Sequence, residues 1–197
     1  MAYHPNYFKN DTNAARADCK KRLKLIRQYI NRGNLLDIGC SGGYYSFGMY
    51  DICKPVWGID IDKKLIDLCK KIQEENGTGV RFLNYEVEEY LGKHDHIRWN
   101  TILYMSTHHH LIAQKGFEAA NTILYKLSQK CGRMIFDMGQ KNENCPQHKW
   151  WTLLPNNTDQ EEWLRNYLCE HTIFNRIETI GFTNIHGVRR LLWKLDQ

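Results

Sequence analysis

A short apolar run ends in an acid at Leu35-Leu36-Asp37-Ile38, and a glycine-dense turn, Gly39-Cys40-Ser41-Gly42-Gly43, follows at once. The chain then reads as helical through Tyr50, and a second apolar run, Val56-Trp57-Gly58-Ile59, ends in Asp60 about twenty residues beyond the first. Strand, glycine loop, helix, strand and acid in this order form the layout of a site for an adenosine-bearing ligand. Glycines let the backbone approach the ligand closely, and the second acid can accept both hydroxyls of a ribose. A tight turn in another α/β protein is the alternative.

Glycine spacing narrows the ligand. A dinucleotide site prefers Gly-x-Gly-x-x-Gly, because a pyrophosphate sits on the helix N-terminus. Here the order is Asp37-x-Gly39-x-x-Gly42-Gly43. An acid two residues before the first glycine repels a pyrophosphate and suits a ligand bearing an ammonium or sulfonium. In these residues the chain resembles the class I S-adenosylmethionine (SAM) methyltransferases, whose first motif is Asp/Glu-x-Gly-x-Gly-x-Gly. Ser41 stands where that motif has its middle glycine.

Along the chain, a first helix is expected from about Asp11 to Asn31, after a lead-in carrying Tyr3, Tyr7 and Phe8. Strands are expected at Asn34–Ile38, Pro55–Asp60, Gly79–Leu83, Trp99–Met105 and Arg133–Asp137. Between them lie helices over Gly43–Cys53, from an Asp62 N-cap to Glu75, over Val87–Leu91 and over about Ala113–Gln129. A long loop runs to Asn157, a last helix covers about Thr158–Ile180, and strands 181–185 and 188–195 close the chain near Gly187. Five strand–helix alternations and a terminal strand pair imply an α/β fold with a parallel sheet covered by helices on both faces. The resemblance implies seven strands in order 3-2-1-4-5-7-6, with strand 7 antiparallel, and one domain over 1–197.

Composition bounds the class. Apolar content of 42% and charged content of 25% are ordinary for a globular chain. No apolar run approaches the ~20 residues that span a bilayer, and no signal-peptide core opens the chain, so a cytoplasmic protein is expected. Seven cysteines include no Cys-x-x-Cys pair, so neither a zinc site nor a disulfide framework is indicated. The net charge of +5 is mild. The run Lys20-Lys21-Arg22-Leu23-Lys24-Leu25-Ile26-Arg27 reads as a solvated helix face, with phosphate contact as the alternative.

In an open α/β sheet, ligands lie at the carboxyl ends of the strands. The resemblance implies a cofactor set of Asp37, Gly39, Cys40, Ser41, Gly43, Tyr44, Asp60, Ile61, Glu86, Val87 and Met105. Asp37 and the glycine loop would face the methionine part of SAM, Asp60 the ribose, and Glu86 with the Val87 N–H the adenine. S-adenosylhomocysteine would be the product. After strand four comes Ser106-Thr107-His108-His109-His110. Three adjacent histidines on a strand point to opposite faces and cannot easily ligate one ion, so no metal is expected. Many class I methyltransferases carry a His-His-Leu turn here, and His109-His110-Leu111 aligns with it. Either histidine could serve as base for a hydroxyl acceptor, with a purely structural turn as the alternative. Asp137 is a further catalytic candidate.

The adjacent Trp150 and Trp151 should bury against the neighbouring helix or the apolar face of an acceptor. Tyr45, His108, Trp150 and Trp151 form the expected acceptor set. From Leu35 onward the chain is similar to the methyltransferase domain of O-antigen chain-terminating kinase/methyltransferases, and related domains O-methylate deoxysugars such as rhamnose. That resemblance implies a carbohydrate acceptor. RNA is the second reading, weakened because no Asn/Asp-Pro-Pro-Tyr/Phe motif follows strand four. A non-catalytic scaffold of the same fold is the third.

Overall fold

A computed structural model of the protein describes residues 6–8, 18–143, 149–156, 159–185 and 187–197. Tyr3, Cys145, Asn157, Thr158 and the expected start of the first helix at Asp11 lie outside the described residues. Seven strands order as β3-β2-β1-β4-β5-β7-β6. They are β1 (Gly33–Ile38), β2 (Cys53–Asp60), β3 (Arg81–Asn84), β4 (Trp99–Met105), β5 (Cys131–Asp137), β6 (Arg176–Ile185) and β7 (Val188–Asp196). That order is the one implied by the resemblance. The chain divides into two compact units, Met1–Leu103 and Tyr104–Gln197.

In the first unit, β1 pairs in parallel with β2, setting Leu36 opposite Trp57 and Ile38 opposite Ile59, and β2 pairs in parallel with β3. The last four residues of β1 are all buried. A strand covered on both faces shows a continuous apolar run rather than alternation. Helix α1 (Cys19–Tyr29) buries Leu23 and Ile26. Its Leu23 methyls lie so near Gly48 of α2 (Tyr44–Met49) that a Cβ there would meet them at 2.6 Å. Lys20, Lys21 and Lys24 stay exposed on α1. Helix α3 (Lys63–Asn76) starts where the Asp62 carboxylate accepts from the N–H groups of Lys64 and Leu65, at 2.8 and 3.3 Å. It ends at Gly77, whose φ of 60° is left-handed. Ile66, Cys69 and Ile72 form its buried stripe, and Leu68 is exposed, two positions round from Ile66. Helix α4 (Val87–Lys93) follows β3.

In the second unit, β5 and β6 both pair antiparallel with β7, in the sense expected for the seventh strand. The helix expected over 113–129 is two helices, α5 (His108–Lys115) and α6 (Phe117–Ser128). Gly116 breaks them apart with φ 83° and ψ 168°, a conformation only glycine adopts freely. The last helix, α7 (Gln160–His171), stops nine residues earlier than expected. Thr172 is already extended, and β6 begins at Arg176, setting Ile177 opposite Leu195 and Thr179 opposite Trp193. β-Branched residues at 177, 179, 180 and 183 favour the strand, and pairing with β7 prevails over helical spacing. After β5 the chain makes two short 3-10 turns, Lys141–Glu143 and Lys149–Leu153.

Candidate functional site

Within the first unit, the carboxyl ends of β1, β2 and β3 carry the expected cofactor residues. Gly39 and Gly43 have φ of 70° and 75°. A Cβ on Gly43 would meet Phe47, Phe82 and the Cys69 sulfur at 2.9 to 3.1 Å, so this position admits no side chain. Gly42 faces open space within 4 Å, as a backbone cradle for a ligand requires. Ser41 has φ 50°, in the left-handed region. The missing middle glycine therefore leaves its conformation behind, at a cost of order 1 kcal/mol. The Gly39 and Cys40 N–H groups donate to the Ile59 carbonyl at 2.9 and 3.0 Å, tying the loop to β2.

Asp60 accepts from the Ser41 N–H at 2.8 Å on one oxygen and from the Asp62 N–H at 2.9 Å on the other. Each oxygen keeps a second lone pair, so the carboxylate is oriented and retains capacity for hydroxyl donors. Asn84 donates to the carbonyls of Asp60 and Ile61 at 2.9 and 2.8 Å. It fastens the end of β3 to the end of β2. Ile61 is 61% exposed, while Glu86 is exposed and Val87 half-buried at the start of α4.

Asp37 is buried and accepts from the Ser46 hydroxyl at 2.6 Å. Desolvation pushes its carboxyl up to about 7; the Ser46 hydrogen bond opposes the rise and the Asp60 charge adds to it. A cation beside it would restore the carboxylate, as the ammonium or sulfonium of SAM requires. Cys40 is buried, and burial raises its thiol well above the ordinary range. Tyr44 and Tyr45 are each 4% exposed, packed edge to face. So little Tyr45 surface disagrees with the acceptor contact expected of it. The open cradle at Gly42, the oriented acid Asp60 and the buried acid Asp37 together fit SAM.

The second unit carries the histidine turn. Ser106, at φ 54°, follows Met105 and donates to Asp137 from its N–H at 2.6 Å and its hydroxyl at 3.2 Å. Arg190 of β7 donates to the Ser106 hydroxyl at 2.9 Å and to Glu143 Oε1 at 2.7 Å, and forms a second bond to Glu143 Oε2. Arg190 also lies 3.8 Å from Asp137. Sequence reading missed Arg190 and Glu143, because this network joins positions 84 and 47 residues apart. It pins the turn after β5 to β7. Asp137 is 1% exposed, so it reaches an acceptor only through its neighbours, contrary to the direct catalytic role expected of it.

The three histidines have three surroundings. His108 is fully buried between Tyr104 and Tyr167, which corrects the expectation that it contacts an acceptor. His109 is 2% exposed, and its Nδ1 accepts from the Gly139 N–H at 3.0 Å. A neutral His109 so held carries its proton on Nε2 and acts there as a donor, not a base. His110 is half-buried, its ring 4.3 Å from that of His109. Trp150 is 3% exposed, packed 4.4 Å from the His109 ring and against Gly139, where a Cβ would meet it at 2.1 Å. It props the histidine and has no open face for an acceptor. Trp151 is half-buried, with the Lys141 ammonium 6.0 Å from its ring. Among the described residues no group of three His, Cys, Asp or Glu is placed to hold a metal, and no helix is long and apolar enough to cross a membrane.

Residues 35–131 match the family profile described as Methyltransferase domain. Over 149 residues the chain is 28% identical to the O-antigen chain terminator bifunctional methyltransferase/kinase WbdD of Escherichia coli, covering 71% of this chain and 20% of that protein. The chain thus spans about a fifth of the length of this relative. A crystal structure of WbdD superposes with a TM-score of 0.81 at 23% identity, over 99% of this chain and 43% of the other. An S-adenosylmethionine-dependent methyltransferase from Clostridium acetobutylicum shares the fold over nearly its whole length, with a TM-score of 0.68 at 12% identity, covering 92% of this chain and 93% of that one. With the acid–glycine loop, the strand order and these likenesses in agreement, residues 35–131 make up a methyltransferase domain of the class I, SAM-dependent kind.

Proposed function

We propose that this chain transfers a methyl group from SAM to a sugar hydroxyl of a glycan or nucleotide sugar, deoxysugars such as rhamnose among them. The observation that carries the reading is the histidine turn, where His109 is held as a donor and His110 lies beside it, half-buried. A hydroxyl must lose its proton as its oxygen attacks carbon, and general-base help at that step is worth ~10²–10⁴-fold. His110 takes the base role, and the buried His109, held by the Gly139 N–H, supports the turn that presents it. The bound donor supplies an electrophilic methyl on a sulfonium, which the acceptor oxygen takes in one displacement as S-adenosylhomocysteine leaves. Asp60 would hold the ribose hydroxyls, Glu86 and the Val87 N–H the adenine, and Asp37 the cationic end. Among the acceptor residues expected from sequence, Trp151 keeps accessible surface. The similarity to WbdD, named as an O-antigen chain terminator, supports a carbohydrate acceptor.

RNA is a second reading, favoured by the exposed Lys20, Lys21 and Lys24 on α1. Methyl transfer from labelled SAM across deoxysugar glycans, nucleotide sugars and RNAs decides between them. Label in glycan or nucleotide sugar supports the proposal. Label in RNA alone overturns it, as does acceptor binding that weakens steeply with salt, the mark of phosphate contacts.

A further inference from the structure

A chain of polar side chains crosses the interior of the second unit. The Tyr104 hydroxyl lies 3.1 Å from His108 Nδ1, and His108 Nε2 lies 2.7 Å from the Tyr167 hydroxyl. Tyr167 bonds to Asn121 Oδ1, and Asn121 Nδ2 lies 3.2 Å from His171 Nε2. The chain thus links the end of β4, the first turn of α5, α6 and α7, and it surfaces at half-buried His171. Trp163 stacks on Tyr167 at 5.3 Å, and Phe136 lies 5.9 Å from His108, so the flanks are aromatic.

Hydrogen counting gives the chain a direction. Tyr104 is fully buried, and among the described residues His108 Nδ1 is its hydroxyl's hydrogen-bond partner. If hydrogens ran inward from His171, the His108 Nδ1–H would point at the Tyr104 oxygen and leave the Tyr104 hydrogen without an acceptor. Run outward, every donor finds a lone pair: Tyr104 O–H to His108 Nδ1, His108 Nε2–H to Tyr167, Tyr167 O–H to Asn121 Oδ1, and Asn121 N–H to His171 Nε2. An unsatisfied buried hydroxyl is costly, so the outward direction holds. Burial also keeps His108 neutral, lowering its pKa to about 3.

We propose that Tyr167 and Asn121 are positioning residues of the methyltransferase reaction, holding His108 through its Nε2–H and thereby fixing the turn that presents His109 and His110. His108 anchors the turn inward to α7, as the Gly139 N–H anchors His109 to the strand-five loop. With His108 and His109 both pinned, the backbone that carries His110 is held. This inference rests on the proposed roles of His109 and His110, and neither tyrosine nor asparagine touches an acceptor in it.

Nitrogen-15 NMR of the histidine rings tests the proposal on the whole chain without any acceptor. Native His108 should show the Nε2–H pattern. Tyr167→Phe leaves the His108 Nε2–H without its acceptor while Tyr104 still donates to Nδ1, so the tautomer should hold, the His108 Nε2 resonance should shift, and the His109 and His110 resonances should shift with it as the turn loses its anchor on α7. Asn121→Ala is the milder second variant: Tyr167 loses the acceptor of its own hydrogen and holds His108 less firmly, so the same resonances should shift by less. On whichever acceptor class is methylated, kcat should fall about tenfold or more, as expected for slight misplacement of reacting groups, while SAM affinity by calorimetry stays within about twofold. An Nδ1–H tautomer in the native protein overturns the proposal. So does a Tyr167→Phe variant that leaves the His109 and His110 resonances, or kcat, unchanged. If RNA alone is methylated, the sugar reading fails while the tautomer result still decides the positioning role.

Discussion

Replacing Asp37 with Asn removes a charge from the interior and keeps the shape, since the amide oxygen can still accept from the Ser46 hydroxyl. The Asp37 carboxyl sits at about 7 in the folded chain because burial disfavours its charge, against roughly 4 in an unfolded chain. The folded state therefore keeps a proton that the unfolded state has lost across that interval. Stability falls as pH rises from about 4 to about 7, and the penalty is complete above it. At 1.36 kcal/mol per pKa unit the full penalty is about 4 kcal/mol, of which about 2–3 kcal/mol develops between pH 5 and pH 8. Asp37→Asn should escape it. In scanning calorimetry without ligand, the variant's Tm advantage should grow by roughly 5–10 °C from pH 5 to pH 8, at about 2–4 °C per kcal/mol for a chain of this length. The same variant should bind SAM more weakly, and native binding should tighten as pH rises through about 7, because the cation favours the carboxylate. A Tm difference independent of pH would refute the argument that Asp37 is held protonated by desolvation.

Asp60→Ala should weaken SAM and S-adenosylhomocysteine alike by about 1.5–3 kcal/mol, the worth of hydrogen bonds to a charged group, measured by titration calorimetry; unchanged affinity removes Asp60 from the ribose site. His110→Ala should retain SAM affinity and lose ~10²-fold or more in kcat, together with the acidic limb of the pH–rate profile. Should His109→Ala instead abolish that limb, the two roles are exchanged. Glu143→Ala removes two charge-assisted hydrogen bonds from the buried Arg190 guanidinium, which keeps Ser106 and Asp137, and should cost about 1.5–3 kcal/mol in denaturant unfolding; a loss below about 1 kcal/mol would show that solvent reaches the pair.

The sheet and the cofactor end were legible in the sequence because both are written locally. A short apolar run, an acid and closely spaced glycines prescribe strand and turn without reference to distant residues, and Asp62 and Gly77 mark the ends of α3 by their own side-chain chemistry and backbone freedom. The strand order followed from resemblance. Tertiary pairing decided the rest. Residues 176–180 carry helical spacing and β-branched side chains together, and pairing with β7 settles them as β6. His108, His109 and His110 are identical in sequence, yet the first is a core group, the second a donor set by the Gly139 N–H, and the third half-buried beside it. A histidine's role depends on which of its nitrogens finds a partner, and those partners stand 30 and 59 residues away. The Arg190–Glu143 pair is likewise invisible until folding joins β7 to the turn after β5. Local patterning thus specified the backbone of the candidate cofactor site, and long-range contacts assigned the protons.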